Sequence, residues 1–197
     1  MPHTIHSPAA SATTAPVERS AKRGELIHYV GDSGPVWRVV DGVVRLDLHG
    51  VEGTTFASLA LPGDMVGLES MAFGHYGFTA RALTPCVLTP RTSADPAPLH
   101  LMAASTRRAA QMVALRHGRA SDRVRRLIDL LTDHGAHPLA GERRRLPRLA
   151  DIAEITGLTV ETVCRISADL DSAGGLPHRS QGRPSSVPLV SSLFPTT

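Results

Sequence analysis

Residues 149–170 constrain the fold of this 197-residue chain more than any other segment, because their apolar side chains follow two helical stripes that a glycine separates. The first stripe comprises Leu149, Ile152, Ala153 and Ile155, and the second comprises Leu158, Val160, Val163, Ile166 and Leu170. Spacings of one to four residues place each set on one side of an α-helix. Gly157 can adopt the left-handed conformation that ends a helix, and Thr159 can cap the next one. The segment therefore predicts two amphipathic helices joined by a tight turn.

A helix-turn-helix is the motif that this segment favours. Ala153 supplies a small residue where the two helices touch, and Gly157 supplies the turn. In the second helix Arg165 can donate two hydrogen bonds to guanine, and Glu161 can accept one from cytosine. Two alternatives stay open at this point. Glu161 and Arg165 are four residues apart and can form an ion pair within the helix, and the segment can be a plain helical hairpin.

A second helical pattern covers residues 102–131. Its members are spaced by three or four residues: Met102, Thr106, Ala109, Val113, Arg116, Ala120, Val124, Leu127 and Leu131. Gly118 interrupts the pattern, and Ser121 or Asp122 can cap a new helix. We therefore predict one helix that ends near Gly118 and another from about Ser121 to His134. The first is either the seam of a dimer or an ordinary core helix.

The sequence pattern of residues 24–89 predicts short strands separated by turns. Candidate strands lie at 36–40, 43–48, 56–61, 78–83 and 86–88. Asp41-Gly42 separates the first two and predicts a hairpin between them. The pattern is typical of a small all-β sandwich or barrel. Residues 91–98 then form a connector.

Positive charge is concentrated in one part of the chain. The net charge is only +3, which by itself does not indicate a nucleic-acid partner. Residues 119–148, however, contain eight arginines and four acidic residues, and Arg143, Arg144 and Arg145 are consecutive. Phosphate binding depends on such local clusters. The alternative is a solvated helix face.

Cysteine content and hydropathy indicate the compartment. The two cysteines, Cys86 and Cys164, match neither a disulfide framework nor a zinc site, and we expect a protein of the reducing cytoplasm. No apolar run approaches the ~18 residues of a membrane span, so we expect no membrane association. Residues 2–16, rich in Ala, Ser, Thr and Pro, lack the pattern of a signal peptide and predict a disordered arm.

Two segments resemble the Crp–Fnr transcription regulators. Leu158-Thr159-Val160-Glu161-Thr162-Val163-Cys164-Arg165 resembles their recognition helix, and it is most similar to the Fnr and FixK branches, whose motif reads Glu-x-x-Ser-Arg. Leu61-Pro62-Gly63-Asp64-Met65-Val66-Gly67-Leu68-Glu69, followed by His75 and Phe78-Thr79-Ala80, resembles the Leu-Pro-Gly-Asp-x-x-Gly-(Leu/Phe) segment of the same branches. The likeness covers roughly residues 22–176.

The resemblance implies an α+β fold. Its parts are an N-terminal β-roll sensor domain, cupin-like and similar to cyclic-nucleotide-binding domains, then a long dimerisation helix and a C-terminal winged helix-turn-helix. The expected bounds are a disordered arm at 1–21, the β-roll at 22–98, the dimerisation helix at 99–118, the DNA-binding domain at 119–178, and a wing remnant and tail at 179–197.

The resemblance also implies a function. A homodimer would regulate transcription by binding double-stranded DNA at a palindrome with TTGAT-like half-sites, and RNA polymerase would be a partner. The expected DNA-binding residues are Thr159, Glu161, Thr162, Cys164, Arg165, Arg143, Arg144 and Arg145. The alternative is a β-roll signalling module or enzyme with a helical oligomerisation tail. No local nucleophile–base motif favours an enzyme, and no catalytic residue is assigned.

The departures from the family bear on the cofactor. Two cysteines exclude a four-thiolate iron–sulfur cluster within one chain. Cyclic-AMP binders carry Gly-Glu and Arg-Ser pairs around the phosphate; here Gly67-Leu68 and Tyr76-Gly77 fall at those places. A buried phosphate without its cation is costly, so we expect no binding of cyclic AMP, and the effector stays unknown.

Three further features complete the expectations: a histidine, a group of prolines and a cysteine. His75 is expected to be a solvated loop residue rather than a metal ligand, and no metal site is assigned. Prolines at 177, 184 and 188 stand where a wing hairpin is expected, so the wing is expected to be short or disordered. Cys164, where the family motif has Ser, is either a small replacement or a redox-sensitive thiol.

Overall fold

A computed structural model describes residues 17–51, 53–133 and 146–172. Eight strands lie in this part of the chain: β1 (Arg19–Ala21), β2 (Leu26–His28), β3 (Trp37–Asp41), β4 (Val44–Gly50), β5 (Gly53–Ala60), β6 (Met65–Val66), β7 (Thr79–Ala82) and β8 (Cys86–Pro90). The helices are α1 (Ser70–Phe73), α2 (Pro98–Ala114), α3 (Ala120–Asp133), α4 (Leu149–Thr156) and α5 (Val160–Ser172). None of the described helices is long and apolar enough to span a membrane.

The strands form two antiparallel sheets. One has the order β1-β8-β3-β6 and the other the order β2-β7-β4-β5. Their inner faces share an apolar core that includes Val39 and Leu88 from the first sheet and Val44 and Ala80 from the second. Because successive strand residues point to opposite faces, a single buried face suffices to hold each short strand. This is the β-roll that the resemblance implies.

The hairpin predicted at Asp41-Gly42 is wrong. β3 pairs with β6 and β8, whereas β4 pairs with β5 and β7, so the turn carries the chain from one sheet to the other. Gly42 has φ 83°, and a Cβ there would overlap the carbonyl oxygen of Pro85. The glycine is required by this close approach, and two alternating strands can pack face to face as readily as side by side.

The α2 helix packs on the β-roll along one side. Leu101 and Met112 are buried, whereas Met102 and Val113 on the other side are 66% and 60% exposed. The buried Arg108 pairs with Asp64, with 2.8 Å between its Nη2 and the carboxylate. Asp64 also accepts a hydrogen bond from the backbone N–H of Leu61, so the Leu-Pro-Gly-Asp turn is tied to the helix.

The helices α3, α4 and α5 form one packed unit. Val124, Leu127, Ile155 and Val163 are fully buried within it, and its core is continuous with apolar residues of the β-roll, such as Phe56. The break predicted near residue 118 is confirmed, because α2 ends at Ala114 and α3 begins at Ala120. Of the arm expected at 1–21 the structure describes residues 17–21, and Arg19–Ala21 form β1, paired with β8, rather than part of a disordered arm. The expected wing and tail lie outside the described residues.

Candidate nucleic-acid interface

The turn between α4 and α5 is built from local interactions. Gly157 adopts φ 65°, and its N–H donates to carbonyls of the last turn of α4. The N–H of Leu158 donates to Ala153 O at 2.8 Å, which closes the helix end. Thr159 Oγ1 accepts from the N–H of Thr162 at 3.2 Å, so the expected N-cap of α5 is present. Ala153 is buried between the helices, as expected.

The outward side of α5 carries the residues expected to contact DNA. Glu161, Cys164 and Arg165 are exposed, as is Thr159, while Thr162 is half-buried and accepts the Thr159 hydroxyl at 2.9 Å. Glu161 and Arg165, both within the described part of the chain, form no ion pair. The guanidinium of Arg165 is therefore exposed and has no acidic partner among the described residues.

Among the described arginines of residues 119–148, some donate to main-chain carbonyls and others are exposed. Arg143, Arg144 and Arg145 lie outside the described residues. On α3, Arg123 donates to Gly118 O and Thr156 O, which ties α3 to the end of α4, and Arg126 donates to Ala114 O at the end of α2. Arg125 on α3 and Arg148 before α4 are exposed, and sequence reasoning did not single them out.

A second polar cluster joins the helical unit to the β-roll, and sequence reasoning missed it. Arg45 on β4 donates to both carboxylate oxygens of Glu154 on α4, at 2.7 and 2.5 Å, and to Asp47 at 2.6 Å. The hydrogen bonds from Arg45 lower the pKa of Glu154, and those with Glu154 raise the pKa of Arg45. Arg116, after α2, donates to the carbonyls of Glu154 and Ile155.

Two rings fill the part of the β-roll next to the Gly67-Leu68 segment. Tyr76 is 2% exposed, donates its hydroxyl to Pro35 O at 2.8 Å and stacks on the buried His28. A Cβ on Gly67 would lie 2.5 Å from the Tyr76 ring, and one on Gly34 would overlap its hydroxyl oxygen. Burial raises the pKa of Tyr76 and lowers that of His28 to about 4.

One cleft, the distribution of metal-ligating side chains and the two thiols bear on what the protein could hold. A polar cleft of about 400 Å³ lies between the β-roll and α4, lined in part by Arg81, Arg148 and Asp151. Among the described residues no three His, Cys, Asp or Glu side chains are grouped as metal ligands. Cys86 is buried, and burial raises its pKa to about 11. Cys164 is exposed.

Solved structures share this architecture. TTHB099, a CRP-family transcriptional regulator from Thermus thermophilus, is 27% identical with a TM-score of 0.61, over 79% of this chain and 85% of its own. FixK2 from Bradyrhizobium japonicum is 26% identical with a TM-score of 0.63, over 82% and 87%. TTHA1359, a CRP/FNR-family regulator that is also from Thermus thermophilus, is 25% identical with a TM-score of 0.58, over 80% and 87%.

No family model and no curated protein matches the sequence. TTHB099 and TTHA1359 are transcription regulators rather than enzymes. They share with this chain a β-roll followed by helices, and the two sequence motifs lie in the expected order along that fold. The fold, the motifs and these likenesses together indicate a transcription regulator that is similar to the Crp–Fnr family and, through FixK2, to its Fnr and FixK branch.

Proposed function

We propose that the protein is a homodimeric, sequence-specific DNA-binding regulator that reads a palindrome with TTGAT-like half-sites. The observation that carries the proposal is the outward side of α5, where Arg165 is exposed, next to Cys164, and forms no ion pair with any described residue. A helix of this kind enters the major groove with its N-terminal part, and an arginine there recognises guanine through its O6 and N7 atoms. The half-site follows from the resemblance of residues 158–165 to the family's recognition helix.

Dimerisation through α2 supports this function. The outer side of the helix bears exposed residues at alternating spacings of three and four: Leu99, Met102, Thr106, Ala109 and Val113. This is the spacing of a coiled-coil seam. Burying Met102 and Val113 against a second copy would remove apolar surface from water, at about 25 cal/mol per Å². Two-fold symmetry would then present two recognition helices ~34 Å apart, one turn of DNA.

Further details belong to this proposal. The resemblance implies double-stranded DNA and RNA polymerase as partners, and the cysteine content indicates the cytoplasm. Arg143, Arg144 and Arg145 would contact phosphates beside the site bound by Thr159, Glu161, Thr162, Cys164 and Arg165. The effector is not cyclic AMP, because Tyr76 and Leu68 stand where phosphate-binding groups would be needed. Calorimetry with cyclic AMP should give no saturable heat of binding.

A gel-shift titration tests the function. The full chain is titrated against a TTGAT-N4-ATCAA duplex and against a duplex of the same composition with scrambled half-sites. Specific binding should exceed non-specific binding by at least ~10³-fold at physiological salt. Equal affinity for both duplexes would contradict sequence-specific regulation at this site. If neither duplex binds and the protein is still a dimer, a β-roll signalling module is the better assignment.

A further inference from the structure

We propose that Arg45 and Arg116 are positioning residues for DNA binding, which grip Glu154 and the end of α4 and thereby set the direction in which α5 meets the groove. The inference rests on the proposed function, since it concerns how the two halves of a dimer meet a palindrome. Neither arginine is expected to touch DNA itself. Each acts through α4.

The grip on the Glu154 side chain is directional. Arg45 makes two parallel hydrogen bonds to its carboxylate, at 2.7 and 2.5 Å, and a third to Asp47 holds the guanidinium from behind. The Arg45 side chain is 11% exposed, whereas that of Glu154 is 46% exposed. The largely buried guanidinium of Arg45, already oriented on the β-roll, therefore pairs with the more exposed carboxylate of Glu154 on the helical unit. Two-point pairing of this kind fixes orientation as well as distance.

The grip on the main chain comes from Arg116. Its guanidinium donates to Glu154 O at 3.3 Å and to Ile155 O at 3.4 Å, two carbonyls of the last turn of α4. These groups have few partners within the helix, and a cation near them complements the helix dipole. Arg116 and Arg45 also lie over the ring of Phe56, at 5.7 and 5.6 Å from its centroid. One buried ring thus supports both cations.

The position of α4 determines that of α5. Gly157 and Leu158 form a closed turn between the helices, and Ala153 packs under α5, so the two helices move as one body. Two other contacts join the helical unit to the β-roll: a single hydrogen bond from Arg23 to Leu146 O at 3.0 Å, ahead of α4, and an apolar core in which Phe56 and Leu59 take part. Apolar contact is non-directional and permits sliding and rotation. Arg45 and Arg116 together donate four hydrogen bonds to α4, against one from Arg23 to Leu146, so they provide most of the directional contact that selects one orientation.

The consequence for DNA concerns the spacing of half-sites. Inserting or removing one base pair moves a half-site by ~3.4 Å along the axis and rotates it by about a tenth of a turn. A rigidly held pair of α5 helices matches one spacing only. A pair that can rotate on the β-roll matches several spacings, each with lower affinity, because ordering it on binding costs free energy.

The experiment compares palindromes that differ only in their centre. The full-length wild type and Glu154→Gln are titrated against duplexes with three, four or five base pairs between the half-sites. The wild type should prefer one spacing by at least ~100-fold, and Glu154→Gln should reduce that preference roughly tenfold, as expected when a charge-assisted pair is removed. Arg116→Met should act in the same direction. Thermal unfolding is followed in parallel to show that each variant is folded.

Asp129→Asn is the matched control. Asp129 is an exposed acid on α3 with no ion pair or side-chain hydrogen bond in the described part of the chain. Its substitution therefore removes one negative charge, as Glu154→Gln does, without removing a contact. It should keep the wild-type spacing preference. If folded Glu154→Gln also keeps it, the positioning role is overturned and the proposed function stands. A wild type that binds all spacings equally, or none, overturns the proposed function as well.

Discussion

The imidazole of His28 stacks on the ring of Tyr76, with the centroids 3.6 Å apart and the planes inclined by 9°. His28 is buried, and neither ring nitrogen has a hydrogen-bond partner among the residues that the structure describes. Burial, together with the positive charge of Arg19, lowers its pKa to about 4 despite the opposing effect of Asp32. The ring is therefore held neutral inside the β-roll.

This stack predicts a loss of stability in mild acid. The unfolded chain binds a proton at His28 below its ordinary pKa of about 6.5, whereas the folded chain does so only near 4. The contribution of neutral His28 to the free energy of unfolding is therefore fully present above pH 6.5. It falls as the pH drops from 6.5 to 4, by as much as ~3 kcal/mol. His28→Phe, which keeps a ring against Tyr76, should remove this part of the pH dependence. Urea unfolding across this range measures it.

His75 provides the control for that measurement, because its imidazole is exposed and lies outside the stack. His75→Gln should follow the wild type at every pH. An unchanged slope in His28→Phe would show that other groups cause the acid sensitivity.

The packing around Tyr76 predicts unequal effects of two glycine substitutions. Gly63 and Gly67 both have positive φ, 92° and 83°, so alanine is strained at either position. A Cβ at Gly63 meets nothing within 4 Å, whereas one at Gly67 meets the Tyr76 ring. Gly63→Ala should cost ~1–2 kcal/mol, and Gly67→Ala should cost ~1–3 kcal/mol more because of the overlap. Equal unfolding midpoints for the two variants would mean that the ring moves aside freely.

The sequence predicts best where structure depends on near neighbours. Gly157, Thr159 and the helical spacing specify the α4–α5 turn within a dozen residues, and the structure contains each of these features. The pairing of β4, the strand after Gly42, was not predictable in this way. A turn residue does not determine whether β4 pairs with β3 in the same sheet or packs against it from a second sheet.

The contact between Arg45 of the β-roll and Glu154 of α4 was harder to predict from the sequence than the α4–α5 turn. Arg45 and Glu154 are 109 residues apart, and nothing in the spacing or type of either residue marks it as a partner of the other. Both stand among ordinary polar side chains in the sequence. Their meeting depends on how the helical unit sits on the β-roll, which is a property of the assembled core rather than of a local pattern.

The exposed stripe of α2 predicts how the protein can be made monomeric. Val113→Glu places a charge on the outer side of the helix, where a partner helix would have to bury it. Light scattering at micromolar protein should give the mass of a dimer for the wild type and of a monomer for the variant. Met71→Glu, at an exposed position on α1, should leave the dimer intact. A dimeric Val113→Glu would place the seam elsewhere.

Arg165 and the arginines of the connector should differ in what they contribute to DNA binding. Arg165→Ala should weaken the specific duplex by ~1–3 kcal/mol and leave the scrambled duplex less affected, since the variant can no longer bond to a base. Replacing Arg143, Arg144 and Arg145 together should weaken both duplexes alike and reduce the salt dependence, by about 0.9 for each phosphate that is no longer neutralised. Arg125→Ala, an exposed arginine on α3, is the control for removal of one charge. Unchanged discrimination in Arg165→Ala would rule out its role in recognising bases.

The two cysteines predict a redox effect that is confined to one of them. Cys86 is buried, and its thiol donates to the carbonyls of Val43 and Thr84. Its pKa is raised to about 11, so little of it is thiolate at neutral pH. Cys164 is exposed on the side of α5 that faces DNA in the proposed complex, next to Arg165. Peroxide should therefore act at Cys164 first.

Oxidation of Cys164 should lower DNA affinity, because a sulfenic acid or a mixed disulfide adds bulk where a small side chain would pack against a thymine methyl group. The wild type, Cys164→Ser and Cys86→Ser are treated with peroxide, titrated with the specific duplex, and titrated again after dithiothreitol. Wild type and Cys86→Ser should lose affinity and recover it, whereas Cys164→Ser should be unaffected throughout. If Cys164→Ser loses affinity as the wild type does, the damage lies elsewhere, and if neither loses it, Cys164 serves only as a small side chain in place of the family's serine.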